Sequence, residues 1–124
     1  MSFARHLREI AENCGGGIGA ALMGNDGIAI EQVLVRPAPD GPLGEDIGIA
    51  GIEFGRILDE IRKAADALAG GGVEETVVSL ARFRMIFRPV DQDTYLVVLL
   101  GPDGNLGKAR YLIRRHLLAI RREL

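Results

Sequence analysis

One cysteine, two histidines and no tryptophan leave little from which to build a reactive centre. Cys14 alone excludes an intrachain disulfide, and without a Cys/His cluster a zinc site has no support. The lone thiol, and an N-terminus whose apolar residues are interrupted by Arg5, Arg8, Glu9 and Glu12, make a reducing cytoplasm the expected compartment. No apolar run approaches the roughly 20 residues of a membrane span, so no membrane insertion is expected. No internal repeat is present. A formal charge of −2 creates no global field for nucleic acid or an anionic membrane, although the C-terminal segment is locally basic.

What is there reads as a globular chain. With 124 residues, 48% hydrophobic and 26% charged, one domain over residues 1–124 can bury a core without staples. The stretch Gly17 to Val35 organises it. Two β-type runs flank Asn25, Asp26 and Gly27, and an Asp-Gly pair between apolar residues is a strong hairpin signal. The first arm, Ile18 to Met23, is apolar or small on both faces and belongs centrally. The second carries Glu31 and Gln32 and belongs nearer an edge.

Around the hairpin, spacing predicts the remaining elements. Phe3, Leu7, Ile10 and Cys14 share one face of a helix from Ser2, its N-cap, to Cys14, stopped by Gly15 and Gly16. Arg36 to Asp46 holds three prolines and two glycines and must be a loop. A second helix, capped by Glu45 or Asp46, is expected from Ile47 to Ala69, before Gly70, Gly71 and Gly72. Its sheet-facing stripe is Ile47, Ala50, Phe54, Leu58, Ile61, Ala65 and Leu68. Three strands follow: Val73 to Leu80, a polar edge, then Phe83 to Val90, then the apolar, central Thr94 to Leu100. A last helix from Asn105 would bury Leu106, Ala109, Ile113, Leu117, Ile120 and Leu124. The expected strand order is 2-1-5-4-3.

Several patterns resemble chemistry and fail on geometry. In Cys14 to Ala20 the glycines follow a helix and precede a strand, the reverse of a dinucleotide fingerprint. Gly101 to Ala109 places five residues, not four, before Gly107-Lys108 and lacks the hydroxyl that would hold magnesium. His6 and Cys14 sit about 12 Å apart on one helix by its rise per residue, too far for a nucleophile and its base. His116 has no ligand neighbours in sequence. The basic last helix, with Arg82, Arg84 and Arg88 nearby, reads as a solvated face, without the aromatics or motif of a nucleic-acid reader. No catalytic residue, cofactor or metal is therefore expected.

Folding leaves two features unexplained. Gly48, Ile52, Gly55 and Asp59 form a second line on the second helix, where each glycine costs about 1 kcal/mol relative to alanine. A partner's close approach there would offset that cost. Arg56, Glu60 and Lys63 border the line with Asp59 and would tune which partner binds. The third strand has neither Pro nor Lys to block pairing and brings Glu75, Val77 and Ser79 to the same expected interface.

The element order, the GAALMGNDGIAIE hairpin, the Gly-terminated long helix, the meander and the GNLGKARYLIRR entry to the last helix together resemble the Roadblock and dynein light chain 7 family. The resemblance covers nearly the whole chain. It implies an α/β sandwich of order α-β-β-α-β-β-β-α, with a five-stranded antiparallel sheet, helix 2 on one face and helices 1 and 3 on the other. It also implies a homodimer in which third strands pair antiparallel and second helices lie together. Within the family the chain is most similar to the bacterial MglB and MglC group, which implies regulation of a small Ras-like GTPase in gliding motility or cell polarity, with recruitment to a pole by partners. Two roles follow from that. One is a non-enzymatic adaptor binding the GTPase, another roadblock protein or a polarity factor; the other is a GTPase activator of MglB type that contributes no arginine finger. The sequence ends at Leu124 without the tail of longer MglB-type proteins, and on that ground the adaptor is expected at least as much as the activator.

Overall fold

A computed structural model describes residues 2–124. The Ser2 side chain accepts a hydrogen bond from the Arg5 amide and opens α1 (Phe3–Asn13), as a short hydroxyl does at an N-cap. β1 (Gly17–Gly24) and β2 (Ala29–Leu34) form the hairpin, with Gly27 at φ 86° in the turn. A loop with one 3-10 turn at Pro42–Gly44 leads to α2 (Ile49–Ala67). β3 (Thr76–Ser79), β4 (Arg84–Pro89) and β5 (Thr94–Leu100) then form a meander, and α3 (Leu106–Arg122) closes the chain.

The sheet order is β2-β1-β5-β4-β3, antiparallel throughout. Because the pleat alternates, each central strand feeds two cores. Ala20, Leu22, Ile86, Leu96 and Val98 face α1 and α3, where Leu7, Ile10, Ile113 and Ile120 meet them. Ala21, Met23, Phe87, Val97 and Leu99 face α2, meeting Ala50 and Leu58. The expected sandwich is what the chain forms, and the doubly buried β1 and β5 explain why those runs are almost entirely apolar, with Thr94 and the Tyr95 hydroxyl at one end of β5.

The differences lie at element ends. α2 starts at Ile49, with Gly48 as N-cap, and neither Glu45 nor Asp46 caps it. The Asp46 carboxylate instead accepts from the Gly48 amide at 2.8 Å and the Gln32 amide group at 2.9 Å, while Gln32 Oε1 accepts from the Ile47 amide at 2.9 Å. These bonds pin the loop to β2, and those that Asp46 accepts fall on a single carboxylate oxygen, Oδ1. α2 ends at Ala67, before the glycine triplet, because Ala69 takes the left-handed conformation at φ 55° and the Gly70 amide closes onto the Ala65 carbonyl. Leu68, expected in the buried stripe, falls past the last turn and is 82% exposed. β3 has four residues, not eight, since β4 pairs only with Thr76 through Ser79. Leu124 lies beyond α3 and is largely exposed, and Leu112 belongs to the buried face instead.

Candidate functional site

The contact between α2 and the sheet decides which helix glycine does what. Gly51, which the sequence pattern did not single out, is the close-approach residue: a Cβ there would stand 2.5 Å from Met23 Cε and 2.7 Å from the Tyr95 hydroxyl. Gly55 has nothing within 4 Å of where its Cβ would be, and Gly48 is the N-cap. Gly48, expected on the outward line, is buried, and a Cβ there would stand 2.8 Å from Asp46 Oδ1, so packing inside the chain accounts for Gly48 and Gly51 and leaves only Gly55 of the three unexplained.

Ile52 points to solvent, 66% exposed. With Gly55, Arg56 and Asp59 it borders a shallow groove whose other wall is the Asn25–Gly27 turn. Ile28, also 66% exposed, follows that turn directly. Asp59 pairs with half-buried Arg62, and Glu60 with Lys63 at 3.5 Å; Asp59, Glu60 and Lys63 are exposed along the helix surface.

β3 pairs with β4 alone among the described residues, leaving its outer edge open. Its three predicted site residues are not equivalent. Ser79 is exposed, Val77 packs its side chain into the core shared with α1 and α3, and Glu75 lies outside the strand with its carboxylate 2.7 Å from Arg110 Nε on α3. What β3 offers outward is therefore backbone. The part of α2 beside β3 is not the glycine line: Phe54 borders a cleft with Leu80 and Phe83, and Leu58 and Arg62 border one with Val73 and Thr76. Leu80 in the first cleft is half-exposed, and so is Ile57, one helical turn on from the Glu53 and Phe54 that border it. The single surface expected from sequence is thus two, one along Ile52 and the β1–β2 turn, the other along β3, Ile57 and Leu80.

The two glycine-rich stretches that imitate nucleotide motifs pack against each other. The Gly101 amide donates to the Gly16 carbonyl and the Asn105 amide to the Gly15 carbonyl, both at 2.9 Å. Gly16, at φ 90°, would carry a Cβ only 2.8 Å from the Gly104 Cα. The Gly101 and Asn105 amides are spent on this joint, and the Asn105 side chain caps α3 by accepting from the Lys108 amide at 3.0 Å.

Both histidines meet between α1 and α3. His6 Nδ1 is 2.9 Å from His116 Nδ1, His6 Nε2 is 3.1 Å from Glu123, and His116 Nε2 is 3.3 Å from Glu9. Burial, then the charges of His6, Arg115 and Arg5, hold the His116 pKa below its usual value against the raising effect of Glu9. Nothing local announces this contact, since the rings are 110 residues apart. The Cys14 thiol is fully buried and its pKa is raised by that burial, so it is a core residue.

This architecture has known counterparts. MglC from Myxococcus xanthus is 33% identical over 100% of both chains, with a TM-score of 0.67. The chain belongs to the Roadblock/LC7 family. A Roadblock/LC7 domain from Streptomyces avermitilis superposes with a TM-score of 0.83 over 99% of this chain and 98% of that one, at 16% identity. The gliding protein MglB from Thermus thermophilus gives a TM-score of 0.77 over 96% and 88%, at 18% identity. No family model and no curated protein matches the chain. Across these Roadblock/LC7 relatives the fold persists at identities where side chains have largely changed, as expected when β1 and β5 need only small or apolar residues on both faces.

Proposed function

We propose that this Roadblock/LC7 chain works as one domain over its whole length, as a non-enzymatic homodimeric adaptor in a small Ras-like GTPase module of bacterial polarity or gliding motility. The observation that carries the reading is the open β3 edge beside half-exposed Ile57 and Leu80, with a second apolar face at Ile52 on another part of the molecule. The first surface suits pairing with a second copy: antiparallel β3 strands would extend the sheet and bring the two α2 helices side by side. The second surface, with Ile52 and Gly55 ringed by Arg56, Asp59, Glu60 and Lys63, is then left for the GTPase, another roadblock protein or a polarity factor, while buried Gly48 takes no part in it. Its small residues let a partner backbone come close, and its rim charges select among partners. The protein acts in the cytoplasm and reaches a pole by being carried there.

Light scattering tests the first half, with twice the 13.3 kDa chain mass as the expected result. A monomer at tens of micromolar would sink it. Hydrolysis of GTP by the cognate GTPase, measured with and without this protein, tests the second half. An unchanged rate alongside measurable binding is expected, whereas acceleration would assign it the role of an activator of MglB type.

A further inference from the structure

The outer side of α3 carries several cations that form no ion pair among the described residues. α3 holds Lys108 and five arginines and no acid from Leu106 to Arg122. Two are engaged: Arg110 with Glu75, and Arg121, which donates to the Val90 carbonyl at 2.8 Å. Lys108, Arg114, Arg115 and Arg122 have no ion pair among the described residues and are exposed. The acids that share this face are already partnered. Glu9 faces Arg5 and His116, Glu12 faces Arg8, Glu75 faces Arg110 and Glu123 faces His6. Asp103 remains on the turn before the helix.

Two apolar side chains stand in the same stripe. Tyr111 is 53% and Leu118 52% exposed, one heptad apart, so they project in one direction with Arg115 and Arg122 between and after them. The stripe spans about 21 Å at the helical rise. It lies on the side of α3 opposite Ile113, Leu117 and Ile120, which are buried in the core under the sheet.

We propose that the outer face of α3 docks on an anionic lipid bilayer, lying flat in the headgroup layer. Guanidinium groups match phosphate by paired N–H donors, and a convex ridge of cations needs no complementary pocket when the opposite surface is fluid and uniformly charged. Tyr111 and Leu118 sit at headgroup depth, where an amphipathic ring and a single aliphatic side chain are accommodated. A protein partner would instead be expected to close over these two residues in a formed pocket. Self-pairing as proposed above would put two such faces on the same side of one sheet and raise avidity, but docking of one face does not depend on it.

The test is co-sedimentation of the full chain with vesicles of phosphatidylcholine alone or mixed with phosphatidylglycerol, at low and high salt. Binding to the mixed vesicles only, weakened by salt, is the expected result. Arg114→Glu with Arg115→Glu should weaken it by about tenfold or more while circular dichroism stays native, since both sites are exposed. Tyr111→Ser with Leu118→Ser should weaken it while leaving its salt dependence in place. No sedimentation with the mixed vesicles, or unchanged binding by either double variant, overturns the proposal. Retention on immobilised polyglutamate without vesicle binding also overturns it and assigns the face to an acidic protein. A wild type that binds vesicles but scatters as a monomer upholds the docking and removes self-pairing, and a dimer that ignores vesicles does the reverse.

Discussion

His6 Nδ1 on α1 and His116 Nδ1 on α3 share a hydrogen bond of 2.9 Å, the centre of a chain running Glu123, His6, His116, Glu9. The pair shares one proton between its two Nδ1 nitrogens, so one ring donates and the other accepts. It fastens the first helix to the last, so its protonation bears on how the layer outside the sheet holds together.

Burial depresses the His116 pKa below 6.5. A depressed histidine binds fewer protons folded than unfolded, so stability is intact above pH 6.5 and is lost as pH falls through the folded value. Urea midpoints of the wild type should drop between pH 8 and pH 5 more steeply than those of His116→Phe, which removes the titrating ring. Equal slopes in the two proteins would refute this.

Gly51 and Gly55 should respond oppositely to alanine. At Gly51 the new methyl meets Met23 and Tyr95, and overpacking of this kind costs about 1–3 kcal/mol. At Gly55 the space is open and helix propensity gains about 1 kcal/mol. Denaturant unfolding of the two variants should show Gly51→Ala below and Gly55→Ala above the wild type.

Ile52→Asp should leave circular dichroism and unfolding midpoint nearly unchanged, because the side chain is exposed, while reducing capture of the native partner. Gly55→Leu should act in the same direction by holding a partner backbone away. The separation of the two surfaces adds a sharper expectation: both variants remain dimeric, whereas Ile57→Asp shifts mass toward monomer. Dimer loss by Ile52→Asp would mean that the glycine line is the self-pairing surface after all.

Ala69→Gly should stabilise the chain by up to about 1 kcal/mol. A left-handed conformation is costly with a Cβ, and at φ 55° Ala69 occupies it where the helix stop ordinarily takes glycine. Thermal unfolding decides the matter, and a lower midpoint in the variant would count against it.

The sequence by itself determined the element order, the strand order and which strands are central. Those follow from local facts: Asp26-Gly27 commits the hairpin, Asn105 and Ser2 cap their helices with their own side chains, and β1 and β5 carry no polar side chain that would need water until Thr94 at the sheet's end. Asp46 shows where that reasoning stops, for its carboxylate was recruited by Gln32 on another strand, and a cap read from spacing became a cross-element tie. Gly51 and Gly55 look alike in the sequence, and only the distance from α2 to Met23 and Tyr95 tells the buried contact from the free surface. The two histidines met, and one expected interface became two, for the same reason. Side chains far apart in the chain are brought together by the way helices cross a twisted sheet, and no periodicity along a single element encodes that crossing.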